Sequence, residues 1–328
     1  MPGKVVITDR PLKHVDLERS IIERAGGVLK VYDVRRLSEL CSVVSDADVV
    51  MVNMSKLDRG VIRCMKRAKG IVRYGVGYDN IDVGAATERG IMVANVPSFC
   101  AREVAEFTVA LMLALKRRLI GFLKYVESGQ YVDTSGWKQQ GEITSLSGKT
   151  VGIVGFGRIG REVARRLSGF DVDILVHDPY LDPRICQDLP FPVRVVSLDE
   201  LLTSSDVVTV HVPLSEETRR LIGRDQLSMM KRTAYLINVS RGGIVDEEAL
   251  ADAVRRRIIA GAAVDTLSRE PPNGNSPLIG VEGILVTPHV AWYTEESILE
   301  LEKTAAQQAA QILAGETPDN LVNPEVLR

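Results

Sequence analysis

The chain has 328 residues, 45% of them apolar and 26% charged, with 41 basic side chains against 43 acidic ones and a formal net charge of -2. Its length exceeds what one hydrophobic core usually spans, so two domains are expected, and interleaved charges near neutrality exclude a field strong enough to hold nucleic acid or an anionic membrane. Small-molecule chemistry is the class that is left.

Residues 1–9 lack the basic-then-apolar pattern of an export signal, and no stretch reaches the roughly 18 uninterrupted apolar residues a membrane span needs. Short apolar runs then alternate with amphipathic stretches. Residues 4–8, 48–52, 70–74 and 91–94 read as strands, with residues 15–25, 61–69 and 83–89 as helices between them. That alternation predicts a parallel sheet flanked by helices, because parallel neighbours need long crossover connections. Residues 103–119 read as a long apolar helix introduced by Pro97 and Ser98. The polar, glycine-bearing stretch 128–147 after it reads as a bridge between domains.

A second series starts at Thr150, with strands over 151–154, 172–177, 207–211, 234–238, 259–264 and 284–287 and helices between them. The last helix, 295–313, precedes Gly315 and a proline-containing tail and is expected to pack back on the first unit, which would make that unit discontinuous. No low-complexity tract or fixed-period repeat is present. The fold class is therefore α/β, with two doubly wound parallel-sheet domains of Rossmann or flavodoxin type.

Cys41, Cys64, Cys100 and Cys186 are scattered without CxxC spacing. This suits a reducing compartment and argues against a disulfide framework or a zinc site, so the four are expected to be small buried hydrophobes.

The first motif with chemistry in it is Val151-Gly-Ile-Val-Gly155-Phe156-Gly157-Arg158-Ile159-Gly160, a strand running straight into a glycine turn and then into a helix. Gly155 permits the tight turn, Gly157 lets the backbone approach a pyrophosphate, and Gly160 lets helix and strand pack closely. The helix start offers unpaired N–H groups to phosphates. Asp178 follows at the end of the next strand, where a carboxylate accepts hydrogen bonds from an adenosine ribose and repels a 2'-phosphate, favouring NAD over NADP. The alternative for Asp178 is an Asp-Pro turn that merely closes the strand.

The second motif, Asn238-Val-Ser-Arg241-Gly-Gly-Ile-Val-Asp246, delivers an arginine at a strand end beside two glycines. Such an arginine can hold a carboxylate through paired hydrogen bonds, or it can pair structurally with an acid such as Asp246. The third comprises Ala263-Val-Asp265, then Glu270-Pro-Pro, then Thr287-Pro-His289-Val-Ala-Trp292. A histidine exchanges protons near neutral pH, and Glu270 is the carboxylate that could orient it, although a lone histidine can also be a satisfied core residue.

These motifs in this order resemble the D-isomer-specific 2-hydroxyacid dehydrogenases over nearly the whole chain. Within that family the sequence looks most like the branch containing the eukaryotic C-terminal binding protein, on Arg73, the segment Gly75-Val-Gly-Tyr-Asp-Asn-Ile-Asp82, and His289-Val-Ala-Trp-Tyr293. The resemblance implies catalytic roles for Arg241, Glu270 and His289, with His289 donating a proton to a ketone while NADH delivers hydride. It implies that N–H groups around Val76 and Gly77 hold the substrate carboxylate and that Arg73 and Trp292 shape the pocket. It places Arg158 and Ile159 at the pyrophosphate, His211, Val212, Pro213 and Thr218 along the adenosine side, and Val239, Ser240, Asp265 and Trp292 near the nicotinamide. Substitutions in Thr266-Leu-Ser-Arg269 depart from the family pattern and leave the choice of acid open, a phosphorylated one included.

By the same resemblance, residues 1–98 with 291–328 form the substrate domain, residues 99–290 form the NAD domain, and the active site lies in a cleft that closes. A cytoplasmic homodimer is implied, its partner docking on the apolar helix 103–119 and the arm after it. No metal, nucleic acid or membrane partner is expected. A second reading is an NAD(H)-sensing dimer that binds other proteins; the chain's end at Arg328, soon after the last helix, favours the enzyme.

Overall fold

The inner strands of both sheets are uninterrupted runs such as Val49-Val-Met-Val52 and Val207-Val-Thr-Val210, buried at every position, as strands covered on both faces must be. The computed structural model describes residues 2–9, 15–34, 36–129, 131, 143–272, 274 and 276–328.

In chain order the elements begin with β1 (Gly3–Ile7), α1 (Asp16–Arg24), β2 (Gly27–Val31), α2 (Leu37–Val44), β3 (Val49–Val52), α3 (Arg59–Cys64), β4 (Gly70–Arg73), α4 (Val83–Glu88) and β5 (Met92–Ala94). Two helices follow, α5 (Ala101–Lys116) and α6 (Leu119–Glu127). Next come β6 (Thr150–Val154), α7 (Arg158–Leu167), β7 (Asp173–His177), α8 (Pro183–Gln187), β8 (Arg194–Val195), α9 (Leu198–Ser204) and β9 (Val207–Val210). The chain closes with α10 (Arg224–Met229), β10 (Tyr235–Asn238), α11 (Glu247–Arg255), β11 (Gly261–Val264), β12 (Ile284–Val286) and α12 (Glu295–Leu313). They divide into two units, Met1–Cys100 with Tyr293–Arg328, and Ala101–Trp292.

The first unit is a parallel five-stranded sheet in the order β2-β1-β3-β4-β5. Helix α12 lies against this sheet and against α1. Its start is a reciprocal cap between Thr294 and Ser297, and its inward face is Leu301, Ala305, Ala306, Ala309 and Ile312. Gly70 makes the approach possible, since a Cβ there would lie 2.6 Å from Ile312 Cδ1. The tail after α12 is pinned to β5 by the buried Asn323, whose Oδ1 accepts from Val93 N–H at 2.7 Å.

Strand β2 and helix α2 lie between the helix expected over 15–25 and the strand expected over 48–52; β2 is an edge strand burying only alternate residues, so its signal in the sequence is weak. Helix α3 stops at Cys64 rather than continuing to 69. Cys41 and Cys64 are bonded to each other across the packed helices α2 and α3, with Cα atoms 5.3 Å apart, and both are half-buried rather than buried and free. Their separation of 23 residues carries no spacing signal, because only the packing of the two helices brings them together. Cys100 and Cys186 take part in no disulfide.

The second unit is a parallel seven-stranded sheet in the order β12-β11-β10-β9-β6-β7-β8. Strands β6 and β9 are parallel neighbours at which the order of addition switches, from β6 outward through β7 and β8 on one side to β9 through β12 on the other, which makes the ends of those two strands the switch point where such sheets bind ligands. The apolar excess of α5 is used inside this unit: Val104, Thr108, Leu111, Met112 and Leu115 are buried, and the helix packs on α7, β10 and β11. The apolar surface left over is on α6, where no residue is buried and Leu119, Leu123 and Val126 are each about half exposed. Residues 130 and 132–142 of the expected arm lie outside the described residues. No described helix is long and apolar enough to cross a membrane.

Candidate active site

The glycine turn leaves β6 at the switch point. Gly155 has φ +92°, and a Cβ on it would lie 2.8 Å from the His211 carbonyl carbon and from Val212 Cγ1, so glycine is required both for conformation and for the approach of the loop after β9. A Cβ at Gly160 would lie 2.2 Å from the Gly155 oxygen, whereas a Cβ at Gly157 would meet nothing within 4 Å. Two glycines therefore close the turn, and the third opens a face beside the start of α7. A pyrophosphate fits that open face.

Asp178 ends β7 with both carboxylate oxygens engaged, Oδ2 by Phe156 N–H at 2.9 Å and Oδ1 by Tyr180 N–H at 2.9 Å. Each oxygen keeps a second lone pair, so the turn-closing role and acceptance from a ribose are compatible. His211 bonds Thr209 Oγ1 through Nε2 at 2.9 Å, its Nδ1 is enclosed without a hydrogen-bond partner, and burial pushes its imidazole down to about 3. It is a neutral histidine in the wall of the turn. Thr218 folds its own loop, donating to the Pro213 carbonyl at 2.6 Å and accepting from Ser215 N–H at 2.8 Å.

Arg241 follows β10. The buried Asn238 shapes its turn, accepting from Ser240 N–H at 3.0 Å and donating to the Arg241 carbonyl at 2.8 Å, while Ser240 Oγ donates to the Val210 carbonyl at 2.6 Å. Val239 between them is buried. A Cβ at Gly242 would lie 2.1 Å from the backbone of Leu267 and Ser268, so this glycine admits the loop that carries Glu270. Asp246 does not pair with Arg241: it caps α11 through Ala249 N–H at 3.0 Å and faces Arg220 at 3.8 Å.

His289 Nδ1 lies 2.7 Å from Glu270 Oε2, and Glu270 Oε1 accepts from Leu267 N–H at 2.8 Å. Burial pushes the Glu270 carboxyl up, but the hydrogen bond and charge of His289, the Leu267 N–H and the charge of Arg241 together hold it below its ordinary value of 4.5. Arg241, Glu270 and His289 are thus in one electrostatic neighbourhood. With Nδ1 turned to the carboxylate, Nε2 is the ring nitrogen presented for proton exchange.

Asp265 anchors that histidine. Its buried carboxylate accepts from Thr287 Oγ1 at 2.6 Å, Val290 N–H at 3.0 Å and Ala291 N–H at 2.8 Å, and its carbonyl accepts from His289 N–H at 2.8 Å. His289 takes φ +55°, a left-handed conformation that this clamp holds. The Trp292 indole donates to the His289 carbonyl at 2.9 Å. Asp265 and Trp292, expected beside the nicotinamide, therefore brace the histidine turn. The sequence offered their identities without this role.

In the first unit, β4 ends in Arg73, whose guanidinium donates to the Tyr74 carbonyl. Gly75 has φ +134°, Val76 and Gly77 are half-buried, and Asn95 Nδ2 donates to the Val76 carbonyl at 2.6 Å. Buried Gln308 of α12 in turn holds the Asn95 carbonyl at 2.9 Å. Asp9, after β1, organises the loop after β3 by accepting from the N–H groups of Asn53 and Ser55 at 3.0 and 2.9 Å and from that of Met54. Asn95, Gln308 and Asp9 were not legible as site residues, because only the folded loops bring their side chains to distant backbone groups.

A glycine turn at a sheet switch point and, in the same unit, a hydrogen-bonded histidine–glutamate pair in the field of an arginine define a dinucleotide-dependent oxidoreductase of the α/β class. The chain matches the D-isomer specific 2-hydroxyacid dehydrogenase NAD binding domain over residues 109–291, and it belongs to that family. It is 41% identical over 294 residues to a glyoxylate reductase from Thermofilum pendens, covering 88% of this chain and 85% of that one. It is 38% identical over 321 residues to a D-3-phosphoglycerate dehydrogenase from Methanocaldococcus jannaschii, covering 98% of this chain and 59% of the longer relative. A solved D-lactate dehydrogenase from Aquifex aeolicus, complexed with NAD and lactic acid, superposes with a TM-score of 0.87 at 27% identity over 97% of this chain and 98% of that one.

Proposed function

We propose that this chain interconverts a short 2-oxo acid and the corresponding 2-hydroxy acid using NAD(H), with His289 as the proton donor to the ketone, Glu270 orienting it, and Arg241 gripping the oxo acid. The observation that carries this reading is the 2.7 Å contact between His289 Nδ1 and Glu270 Oε2, within the field of Arg241. When bound, NADH supplies the hydride. The glycine turn at Gly155, Phe156, Gly157, Arg158, Ile159 and Gly160 takes the pyrophosphate, and Asp178 selects NAD by accepting from the ribose. His211, Val212, Pro213 and Thr218 line the adenosine side, with Val239, Ser240, Asp265 and Trp292 toward the nicotinamide. The Val76 and Gly77 N–H groups hold the substrate carboxylate, and Arg73 and Trp292 are the residues assigned to shaping the substrate pocket.

The name of the Thermofilum pendens relative makes glyoxylate the first substrate to test, followed by hydroxypyruvate, pyruvate and a phosphorylated oxo acid. Steady NADH oxidation with at least one of them supports the reading; folded protein that oxidises NADH with none overturns it. The narrower likeness to the C-terminal-binding-protein branch, and with it an NAD(H)-sensing role, is less favoured, since the relatives compared above bear enzyme names.

A homodimer belongs to the same reading, with α6 rather than α5 as the docking face: Leu119, Leu123 and Val126 lie at i, i+4 and i+7, one apolar stripe about half exposed among the described residues. Light scattering that gives a monomer mass for wild type, or an unchanged dimer mass for Leu123→Glu/Val126→Glu, would reject it. The proposed cytoplasmic location rests on enzyme class, because the Cys41–Cys64 bond removes the support that four free cysteines would have given.

A further inference from the structure

The glycine turn at the end of β6 is flanked by the loops that follow β7 and β9, because both strands are neighbours of β6 in the sheet. Backbone bonds lace the roots of all three together. Gly155 N–H donates to the His177 carbonyl at 2.8 Å, and His211 N–H donates to the Val154 carbonyl at 2.7 Å. Further out, one pair of side chains joins the two flanking loops: the Tyr180 hydroxyl donates to Glu217 Oε2 at 2.6 Å, across 37 residues of sequence.

Tyr180 is 79% exposed, and an aromatic side chain so open to water ordinarily samples several rotamers. Here it is held at both ends by carboxylates. Its N–H donates to Asp178 Oδ1 at 2.9 Å, and its hydroxyl donates to Glu217. Both charges act on the phenol, whose hydroxyl is pushed above its ordinary value of 10 by the hydrogen bond and charge of Glu217, with Asp178 adding to them.

Each anchor is itself fixed. The other oxygen of Asp178 takes the Phe156 N–H of the glycine turn at 2.9 Å. Glu217 sits in a loop closed on itself, since the next residue, Thr218, donates its N–H to Ser215 Oγ at 3.3 Å and its hydroxyl to the Pro213 carbonyl at 2.6 Å.

The arginines of the two loops are engaged elsewhere. Arg184 pairs with Asp182 at 2.7 Å, Arg219 with Glu216 at 3.5 Å, and Arg220 faces Asp246 at 3.8 Å. Arg158, exposed at the start of α7, is the residue assigned to the pyrophosphate. Among the described residues neither Asp178 nor Glu217 has an ion-pair partner, so the rim presents two carboxylates joined through one tyrosine.

We propose that Glu217 is a second specificity-determining residue for the cofactor: pinned by Tyr180, its carboxylate joins that of Asp178 beside the adenosine ribose, where the pair admits a 2'-hydroxyl and repels a 2'-phosphate. The proposal rests on the reading above, in which Asp178 accepts from that ribose and the loop carrying Thr218 lines the adenosine side. A 2'-phosphate brings roughly two negative charges near neutral pH, and a site for it needs a cation where this rim has a second anion. NADH lacks that phosphate, so the charge of Glu217 acts selectively against NADPH. Because Glu217 is exposed, its repulsion passes through water, is moderate, and weakens as salt screens it.

The test titrates wild type, Glu217→Gln and Tyr180→Phe with NADH and with NADPH by fluorescence, at about 50 mM and about 500 mM NaCl. Glutamine keeps an oxygen for the Tyr180 hydroxyl and removes only the charge. Glu217→Gln is expected to tighten NADPH by about three- to tenfold at the lower salt and to leave NADH within about twofold, with the gain shrinking at the higher salt. Tyr180→Phe keeps the charge but releases it from the rim, and is expected to move the ratio of the two affinities in the same direction by a smaller factor. An unchanged ratio in Glu217→Gln, or an equal change for both cofactors, overturns the proposal, since a merely structural role would act on both alike. A wild-type ratio in Tyr180→Phe overturns the pinning. Wild type that binds neither cofactor overturns the reading of the site and the proposal with it, whereas wild type that binds NADH beside an unmoved ratio in Glu217→Gln overturns the proposal alone. Should the glutamine variant fail to fold, Glu217→Ala removes the same charge and is held to the same ratio.

Discussion

His289 Nδ1 and Glu270 Oε2 stand 2.7 Å apart although 19 residues separate them in sequence, and the second oxygen of the same carboxylate is fixed by Leu267 N–H at 2.8 Å. A carboxylate held at both oxygens fixes the ring orientation as well as its charge. Removing either partner should therefore affect catalysis more than binding. His289→Ala is expected to lower kcat by about 10²- to 10⁴-fold, with NADH affinity by fluorescence titration nearly unchanged. Wild-type turnover in that variant would remove His289 from the chemistry.

The same pair sets an acid limit. Glu270 is held below 4.5 in the folded chain, so its contribution to stability is complete above about 4.5 and lost as pH falls through the lower folded value. Buried neutral His211 acts in the same direction, since the unfolded chain takes up a proton near 6.5 that the folded one refuses until about 3. Stability should fall as pH drops from about 6.5, and Glu270→Gln should lose the part below about 4.5. Superimposable acid-unfolding curves for wild type and Glu270→Gln would contradict the assignment.

The three glycines of the turn should separate by phenotype. Gly160→Ala sets a methyl 2.2 Å from a backbone oxygen and should lower Tm by several degrees, whereas Gly157→Ala meets nothing within 4 Å and should keep wild-type Tm yet bind NADH more weakly. Calorimetry and a binding titration on the two variants read this directly; equal Tm losses would mean that Gly157 is also structural.

Asp178→Asn keeps an oxygen for the Phe156 N–H but removes the charge that repels a 2'-phosphate. The ratio of kcat/KM for NADPH over NADH is expected to rise by about tenfold or more. An unchanged ratio would leave Asp178 with the turn-closing role alone.

Cys41→Ser should destabilise the first unit by about 2–4 kcal/mol, as for a crosslink closing a loop of this size, with little effect on NADH binding. Identical urea midpoints with and without a dithiol reductant would show that the bond does not contribute.

The sequence by itself determined both parallel sheets, the glycine turn and the identities of Arg241, Glu270 and His289. Those signals are local: strand periodicity, a turn only glycine can make, and residue types set at strand ends. Tertiary structure decided the rest. That Asp265 clamps the histidine turn, that Asp246 serves a helix cap instead of Arg241, and that Cys41 meets Cys64 all follow from which elements pack side by side. Contacts across tens or hundreds of residues leave no periodicity in one chain, because a side chain's partner there is set by the packing of whole helices and strands rather than by its neighbours in sequence.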